Sequence, residues 1–374
     1  MTRSMAFTET YRGKRVLVTG HTGFKGAWLS EWLLDLGAHV TGLALPPPTN
    51  PALFDQLGLA TRLEHRLGDV RDLTTVQRVV DECRPDFVFH LAAQSLVRLS
   101  YRQPAETYAT NVMGTVNVLE ALRTANRPCT VVAVTTDKCY ENKEWAHGYR
   151  EEDPMGGHDP YSSSKGAAEL IISAYRRSFF SGPDSATLVA SARAGNVIGG
   201  GDWAADRIVP DCIRALQRNE PIPVRNLVAT RPWQHVLEPL SGYLWLGACL
   251  AATRLPAVPR PAALASAFNF GPALTSNRTV AELVQEILKS WPGRWEDRSD
   301  PRAPHEAGLL NLATDKAFHL LRWKPVWNFA ETVGHTADWY RRNASDPTTA
   351  RGLTHQQIAG YTAAARALNV AWAA

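Results

Sequence analysis

Short apolar runs alternate with longer stretches of helical period through the first half of the chain. Arg15–Thr19, His39–Leu43, Phe87–Leu91, Val131–Val134 and Thr187–Ser191 are apolar, β-branched or flanked by turn residues, and they predict strands. Between them apolar residues recur at helical spacing near Ala27–Leu36, Leu73–Cys83, Tyr108–Asn126 and Ser162–Phe179. This alternation predicts βαβ units, and so an α/β fold: a Rossmann-type, doubly wound parallel sheet with helices on both faces. Ligands of such a sheet bind beyond the carboxyl ends of the strands. Three suggestive segments fall there: the turn at Gly20, His90-Leu-Ala-Ala93 and Thr135-Thr-Asp-Lys138.

After Arg193 the texture changes. A glycine-rich loop, Gly195-Asn-Val-Ile-Gly-Gly-Gly-Asp-Trp203, opens a region in which prolines are frequent and helical stretches recur near 208–218, 239–252 and 279–289. The expected division is a Rossmann domain over 1–194 and a smaller mixed α/β substrate-binding domain over 195–374. Segments at about 228–258 are expected to pack back on the first domain.

Composition narrows the class. Of 374 residues, 45% are hydrophobic and 20% charged, which describes an ordinary globular protein. The net charge of +4 is small and the basic residues are scattered, so nucleic-acid binding has little support. The five cysteines are odd in number and lack C-x-x-C spacing, which argues against a disulfide frame or a zinc site, and no metal is expected. Met1–Tyr11 lacks the apolar core of a signal peptide, and Leu240–Ala252 is too short to span a bilayer, so the expectation is a cytoplasmic protein with no membrane partner.

Two motifs carry chemistry. In Val16-Leu-Val-Thr-Gly20-His-Thr-Gly23-Phe-Lys-Gly26 a strand enters a tight turn and an apolar helix leaves it. Gly20 permits the turn, Gly23 lets a pyrophosphate approach the backbone, and Gly26 lets helix and strand pack closely. The helix N-terminus offers its N–H groups to phosphate. The second motif is Tyr161 and Lys165, four apart at the start of a helix and so on one face. An ammonium beside a phenol favours the phenolate, which can take a proton from a sugar hydroxyl.

With these motifs in order, the chain resembles the extended short-chain dehydrogenase/reductase superfamily, and within it the CDP-glucose 4,6-dehydratases of bacterial dideoxysugar synthesis. The likeness runs from about Lys14 to about Tyr340. It is carried by Gly20–Gly26, Ala92–Tyr101, Thr136–Tyr140, Gly195–Trp203 and Arg231-Pro-Trp-Gln-His235. The resemblance implies bound NAD, CDP-glucose as substrate and a cycle neutral in redox: oxidation at C4, loss of water across C5 and C6, and hydride return to C6. Tyr161 would be the base for oxidation, with Lys165 tuning it. Related dTDP-glucose dehydratases carry Thr-Asp-Glu at this strand end, with Asp as acid and Glu as base; here stand Thr136, Asp137 and Lys138. Asp137 is then the acid. Lys138 is either the C5 base, acting as a neutral amine, or a group that binds phosphate or pairs with Asp137.

The resemblance also places cofactor contacts at Gly20, His21, Thr22, Gly23, Phe24, Lys25, Gly26, Asp69, Val70, Leu91, Ala92 and Ala93, besides Tyr161 and Lys165. Substrate contacts are expected at Gln94, Ser95, Asn196, Arg207, Arg231, His235 and His305. In relatives the helices equivalent to 108–126 and 162–179 form a four-helix interface, so a homodimer is expected. One departure stands out: the second strand ends Thr41-Gly-Leu-Ala-Leu-Pro46 without the acidic residue that grips the adenosine ribose in many NAD enzymes. A dehydratase or epimerase for another nucleotide sugar, and a non-catalytic cofactor sensor, are the competing readings. Retention of Thr136, Asp137, Tyr161 and Lys165 speaks against the sensor.

Overall fold

Seven strands, all parallel, form the central sheet of the computed structural model, which describes residues 7–182, 185–254, 263–299 and 309–373. They are Arg15–Thr19 (β1), His39–Ala44 (β2), Glu64–Leu67 (β3), Phe87–His90 (β4), Cys129–Val134 (β5), Thr187–Ala194 (β6) and Ala267–Phe270 (β7), in the order β7-β6-β5-β4-β1-β2-β3. The order reverses between β1 and β4, where Thr19 lies in register with His90. That reversal opens the crevice in which ligands of doubly wound sheets sit.

The central strands read as continuous apolar runs because both of their faces are buried. Every residue of β5 is buried. Val16, Val18, Phe87, Phe89 and Val132 face one core with Trp28 and Trp32, while Leu17, Val88, Val131 and Val189 face the other with Val79 and Val118. Helices Phe24–Asp35 (α1), Leu73–Cys83 (α2), Gly114–Ala125 (α3) and Pro160–Phe179 (α4) supply the layers on either side. Two strands have no apolar run to announce them. β3 is Glu-His-Arg-Leu, an edge strand left partly exposed. β7 lies far along the chain and pairs in parallel with β6, Ala267 beside Ser191.

The expected helix over 108–126 is interrupted. Its first turns, Ala109–Met113, widen to a π-turn before α3 resumes the regular period. Such insertions aim a side chain that an ideal helix would turn away, and here they aim Asn111.

The C-terminal region returns to the sheet through β7 and through Leu237–Ala252 (α5), which packs on β5 and β6. Three two-stranded pairs build the rim: Val197–Ile198 with Gln234–His235, Thr230–Pro232 with Asn277–Thr279, and Ile222–Val224 with Trp295–Asp297. Phe329–Ser345 (α6) and Ala350–Ala367 (α7) close that side. Glu238, fully buried at the start of α5, joins these pieces. Its carboxylate accepts the N–H of Trp327 at 2.7 Å and of Val326 at 3.0 Å, and the Tyr361 hydroxyl at 2.7 Å.

Burial pushes the Glu238 carboxyl up from 4.5 to about 7, against the opposing pull of those hydrogen bonds. The folded protein therefore holds this proton more tightly than the unfolded chain. The stability it contributes is full below about 4.5 and is lost as pH rises through about 7. The Tm difference between parent and Glu238→Gln, followed by calorimetry, should move in favour of the Gln variant as pH rises through that window and level off above it. A difference independent of pH would mean that the carboxyl does not titrate there.

Candidate active site

The crevice begins at the turn after β1. Gly20 adopts φ +79°, and a Cβ on it would lie 2.8 Å from the backbone nitrogen of Ala92. The two loops leaving β1 and β4 therefore touch through backbone alone, drawn together as the Ala92 N–H donates to Thr19 Oγ1 at 3.2 Å. A Cβ on Gly26 would lie 2.1 Å from the Gly20 carbonyl, so the first turn of α1 packs directly under the loop. Gly23 caps α1 and no side chain satisfies its first N–H groups. An uncapped helix start beneath a glycine cradle fits the diphosphate of a dinucleotide.

Opposite lies the carboxyl end of β5. Asp137 is 1% exposed, and its Oδ1 accepts the Thr136 hydroxyl at 3.0 Å and the Lys138 ammonium at 3.1 Å. Lys138 also donates to Asn196 Oδ1 at 3.1 Å. Asp137 Oδ2 is buried with no partner. A Cβ on Gly195 would stand 2.8 Å from that oxygen, so glycine there keeps its approach clear.

Helix α4 delivers the phenol and the second lysine. Asp159 caps it by accepting the N–H of Ser162, and Pro160 begins its first turn. A Cβ on Gly166 would lie 2.6 Å from the Gly156 carbonyl and 3.1 Å from that of Cys139, so glycine after Lys165 lets the helix press against the turn bearing Lys138. The Thr136 hydroxyl lies close enough to the Tyr161 phenol to favour its ionised form. A hydrogen-bonded run Thr136–Asp137–Lys138–Asn196 thus lines the crevice, with the Tyr161 phenol beside Thr136.

Burial dominates the electrostatics. It pushes the Tyr161 phenol up to about 12, while the Thr136 hydroxyl and the Arg207 guanidinium pull the other way. The phenol is therefore protonated at neutral pH, and the pull toward phenolate comes from Thr136 and Arg207, not from Lys165 as the sequence alone suggests. Lys165 is itself pushed down to about 8 by burial, with Glu169 and Cys139 opposing that fall. Lys25 is pushed down to about 7, by burial first and then by Arg207, with Lys165 and Lys138 adding and Asp137 opposing. Lys138 pairs with Asp137 and Lys25 feels its charge, while Arg207 and Lys165 lie near Lys25, a cationic centre suited to an anionic ligand.

A sequence model of the family described as GDP-mannose 4,6 dehydratase matches residues 17–336. The chain belongs to this family. It is 48% identical over 338 residues to the CDP-glucose 4,6-dehydratase of Salmonella typhimurium, covering 88% of this chain and 91% of that protein. A dTDP-glucose 4,6-dehydratase from Streptomyces venezuelae, solved with NAD and TYD bound, superposes with a TM-score of 0.74 at 25% identity, covering 89% of this chain and 99% of that one. An epimerase from Methanothermobacter thermautotrophicus shares the fold, with a TM-score of 0.75 at 24% identity over 92% of this chain and 97% of that one.

Within this family member the remaining expected residues divide into three groups. The first lines the crevice. Arg207 donates to Asp202 at 2.7 Å and to Ser95 Oγ at 3.4 Å, Asn196 holds Lys138, and half-buried Arg231 lies in the rim strand Thr230–Pro232. The second group shapes the cofactor side. His21 is buried, its Nε2 2.7 Å from His65 Nδ1, and its ring fills the space where a side chain on Gly42 of β2 would sit. Burial, with His65 beside it, pushes His21 down to about 4, so it is neutral. Thr22 Oγ1 donates to the Leu45 carbonyl, Lys25 donates to the Tyr243 hydroxyl at 3.3 Å, and Asp69 is held by Arg71. The Phe24 ring packs against the core, and Leu91 continues β4 by donating to the Thr19 carbonyl, with Ala93 following at the loop.

The third group faces elsewhere. His235 is fully buried between the rings of Trp28, at 5.8 Å, and Trp327, at 4.9 Å, so it is a core residue and not a substrate contact. The Gln94 side chain is spent on Leu96 and Thr107 within its own loop, and the Val70 side chain packs in the core against α3. His305 lies outside the described residues. Sequence reasoning missed Asn111, whose amide holds Ser164 Oγ at 2.8 Å and both backbone groups of Gln94. It also missed the structural use of His90, which bridges Thr19 and Thr115. Asn111 stands three residues before Gly114 in an ordinary helical pattern, and nothing there signals the π-turn that aims it.

Gly195→Ala places a methyl against the free oxygen of Asp137. Turnover should fall about tenfold or more, equivalent to about 1.4 kcal/mol of barrier, while Tm stays near the parent's. Steady-state kinetics beside a thermal melt checks this, and full activity would mean that the oxygen is not used.

Proposed function

We propose that this protein is a CDP-glucose 4,6-dehydratase that converts CDP-D-glucose to CDP-4-dehydro-6-deoxy-D-glucose and water. The observation that carries the reading is the hydrogen-bonded run from Thr136 through Asp137 to Lys138 with the Tyr161 phenol beside it, a grouping that would unite a redox base with an elimination pair. The 48% identity to the Salmonella typhimurium CDP-glucose 4,6-dehydratase supports the nucleotide.

NAD fits the crevice, held by the Gly20–Gly26 loop with Ala92, Ala93 and Asp69 beside it, and when bound it accepts hydride from C4 and returns it at C6. The chain's own groups handle protons and position. Tyr161, after giving up its own phenol proton to solvent, takes the C4 hydroxyl proton as phenolate, the form that Thr136, Arg207 and the positive charge of bound NAD would favour. The ketone then acidifies C5. Lys138 Nζ and Asp137 Oδ1 are 3.1 Å apart, so one proton passed from ammonium to carboxylate creates an amine base and a carboxylic acid together. The amine removes the C5 proton and the acid protonates the departing C6 hydroxyl, which restores ammonium and carboxylate as water leaves. Arg207, Arg231, Asn196 and Ser95 are placed to hold the diphosphate, an anion that suits guanidinium forks. In this reading residues 1–194 serve the dinucleotide and 195–374 mainly the substrate.

Among the described residues no helix is long and apolar enough to cross a membrane, and we place the enzyme in the cytoplasm. We also propose a homodimer. Tyr101, Tyr108 and Met113 ahead of α3, with Leu170 and Phe179 on α4, are 40–61% exposed and give the two helices an apolar outer surface. Closed two-fold contacts are the commonest way to cover such a surface. Light scattering at micromolar concentration should give twice the chain mass, and Leu170→Glu should shift it toward monomer.

Incubation with CDP-, dTDP-, UDP- and GDP-linked hexoses should give loss of water, read by mass spectrometry, with CDP-glucose only. Turnover of another nucleotide sugar in its place would overturn the assignment. Lys138→Ala at saturating substrate should stop exchange of the C5 hydrogen with solvent deuterium. Rapid exchange in that variant would make Lys138 a binding group and not the base.

A further inference from the structure

One buried charged pair lies behind the site, and the mechanism above leaves it without a role. Glu169 is one helical turn beyond Lys165 and two beyond Tyr161, so all three share a face of α4. It is 4% exposed. Its carboxylate accepts Arg193 Nη2 at 2.8 Å, Ser191 Oγ at 2.9 Å and the Thr135 hydroxyl. Arg193, on β6 and equally buried, uses its other nitrogen on the Tyr140 hydroxyl at 2.7 Å and the Glu151 carbonyl at 2.9 Å. Burial alone would push the Glu169 carboxyl up, but Arg193 and the hydroxyls of Thr135 and Ser191 hold it below the usual range, so it is an anion.

A buried ion pair is weak evidence for stabilisation, because well-packed apolar residues often serve as well. Position argues for more. Glu169 touches Thr135, the residue before Thr136 and Asp137, and it lies on the helix that carries Tyr161 and Lys165. The groups facing Lys165 from other elements offer no ionised acid. They are neutral His90 from β4, the thiol of Cys139 from the turn after β5, Lys25 from α1 and the Val134 carbonyl, 3.5 Å from Nζ.

We propose that Glu169 is a positioning residue: locked by Arg193, it keeps Lys165 charged and, through Thr135, fixes the strand end bearing Thr136 and Asp137 to the helix bearing Tyr161. The inference rests on the redox use of Tyr161 and Lys165, but not on which nucleotide sugar is oxidised.

The test is a 13C NMR titration of unliganded protein carrying labelled lysine, with the Lys165 signal identified by its absence in Lys165→Met. The parent midpoint should lie near 8. Glu169→Gln should lower it by about one unit, a tenfold loss of proton affinity. The alkaline limb of kcat should move down with it, since lysine is charged only below its midpoint. Glu169→Gln leaves Arg193 unpaired, so Glu169→Leu/Arg193→Met, which removes both charges and keeps the volume, carries the same test if the single variant does not fold. An unmoved midpoint in a folded variant, or a moved midpoint with an unmoved kcat profile, overturns the proposal. A failed substrate panel with the midpoint shift intact would count against the dehydratase reading alone.

Discussion

One carboxylate, buried and only half satisfied, sets the terms for the whole site. Asp137 is 1% exposed, with one oxygen bound to Thr136 and Lys138 and the other without a partner. An uncompensated buried charge costs several kcal/mol, so the fold must bring cations and donors to fixed places around it. Lys138 supplies the direct pair and Lys25 feels its charge, while Arg207 and Lys165 lie near Lys25. Those cations in turn repel one another, which is part of why Lys25 falls to about 7. The free oxygen is the exception, and Gly195 keeps it reachable. A residue tolerated in this state stores reactivity: it has a proton donor beside it and an open oxygen that a departing hydroxyl can approach.

The sheet makes that arrangement possible without strain at the reacting groups. Parallel strands end together, so the loops after β1, β4 and β5 meet in one crevice, and the reversal between β1 and β4 leaves it open. Close approach is achieved by glycine at two points. Gly20 lets the β1 loop touch the backbone of Ala92, and Gly166 lets α4 sit against Gly156 and Cys139. The first distance sets where a dinucleotide lies, and the second sets how far Tyr161 stands from Thr136. Both are backbone contacts, so neither can relax by a side chain turning away.

Much of this was legible in the chain. Strands buried on both faces are mostly apolar, which is why β1, β4, β5 and β6 could be read directly despite buried Ser191 and Arg193 on β6, and spacing singled out the glycine loop and the Tyr161–Lys165 pair as candidates. The features that escaped share a physical cause: their meaning depends on a partner distant in sequence. β3 is polar because it is an edge, and β7 belongs to the sheet only because β6 is there to receive it. His235 sits in a segment that resembles a substrate motif, yet Trp28 and Trp327 enclose it. The Tyr161–Lys165 pair was expected to favour the phenolate, whereas burial raises the phenol and the opposing pull comes from Thr136 and Arg207.

Lys138 in place of a carboxylate base changes more than one side chain. It reverses the sign of charge beside Asp137, turning a pair of acids that would repel into an ion pair 3.1 Å apart. Two adjacent carboxylates can divide acid and base roles because repulsion keeps one protonated. A lysine and an aspartate can do so only by exchanging a proton, since at rest the ion pair leaves the acid ionised and the base protonated. In the proposed mechanism that exchange would fall to the moment when substrate displaces water, because excluding water disfavours charge. Substrate binding, by covering the crevice, would then both exclude water and prepare the elimination groups. Until a sugar is in place, Lys138 holds one oxygen of Asp137 while the other stays open.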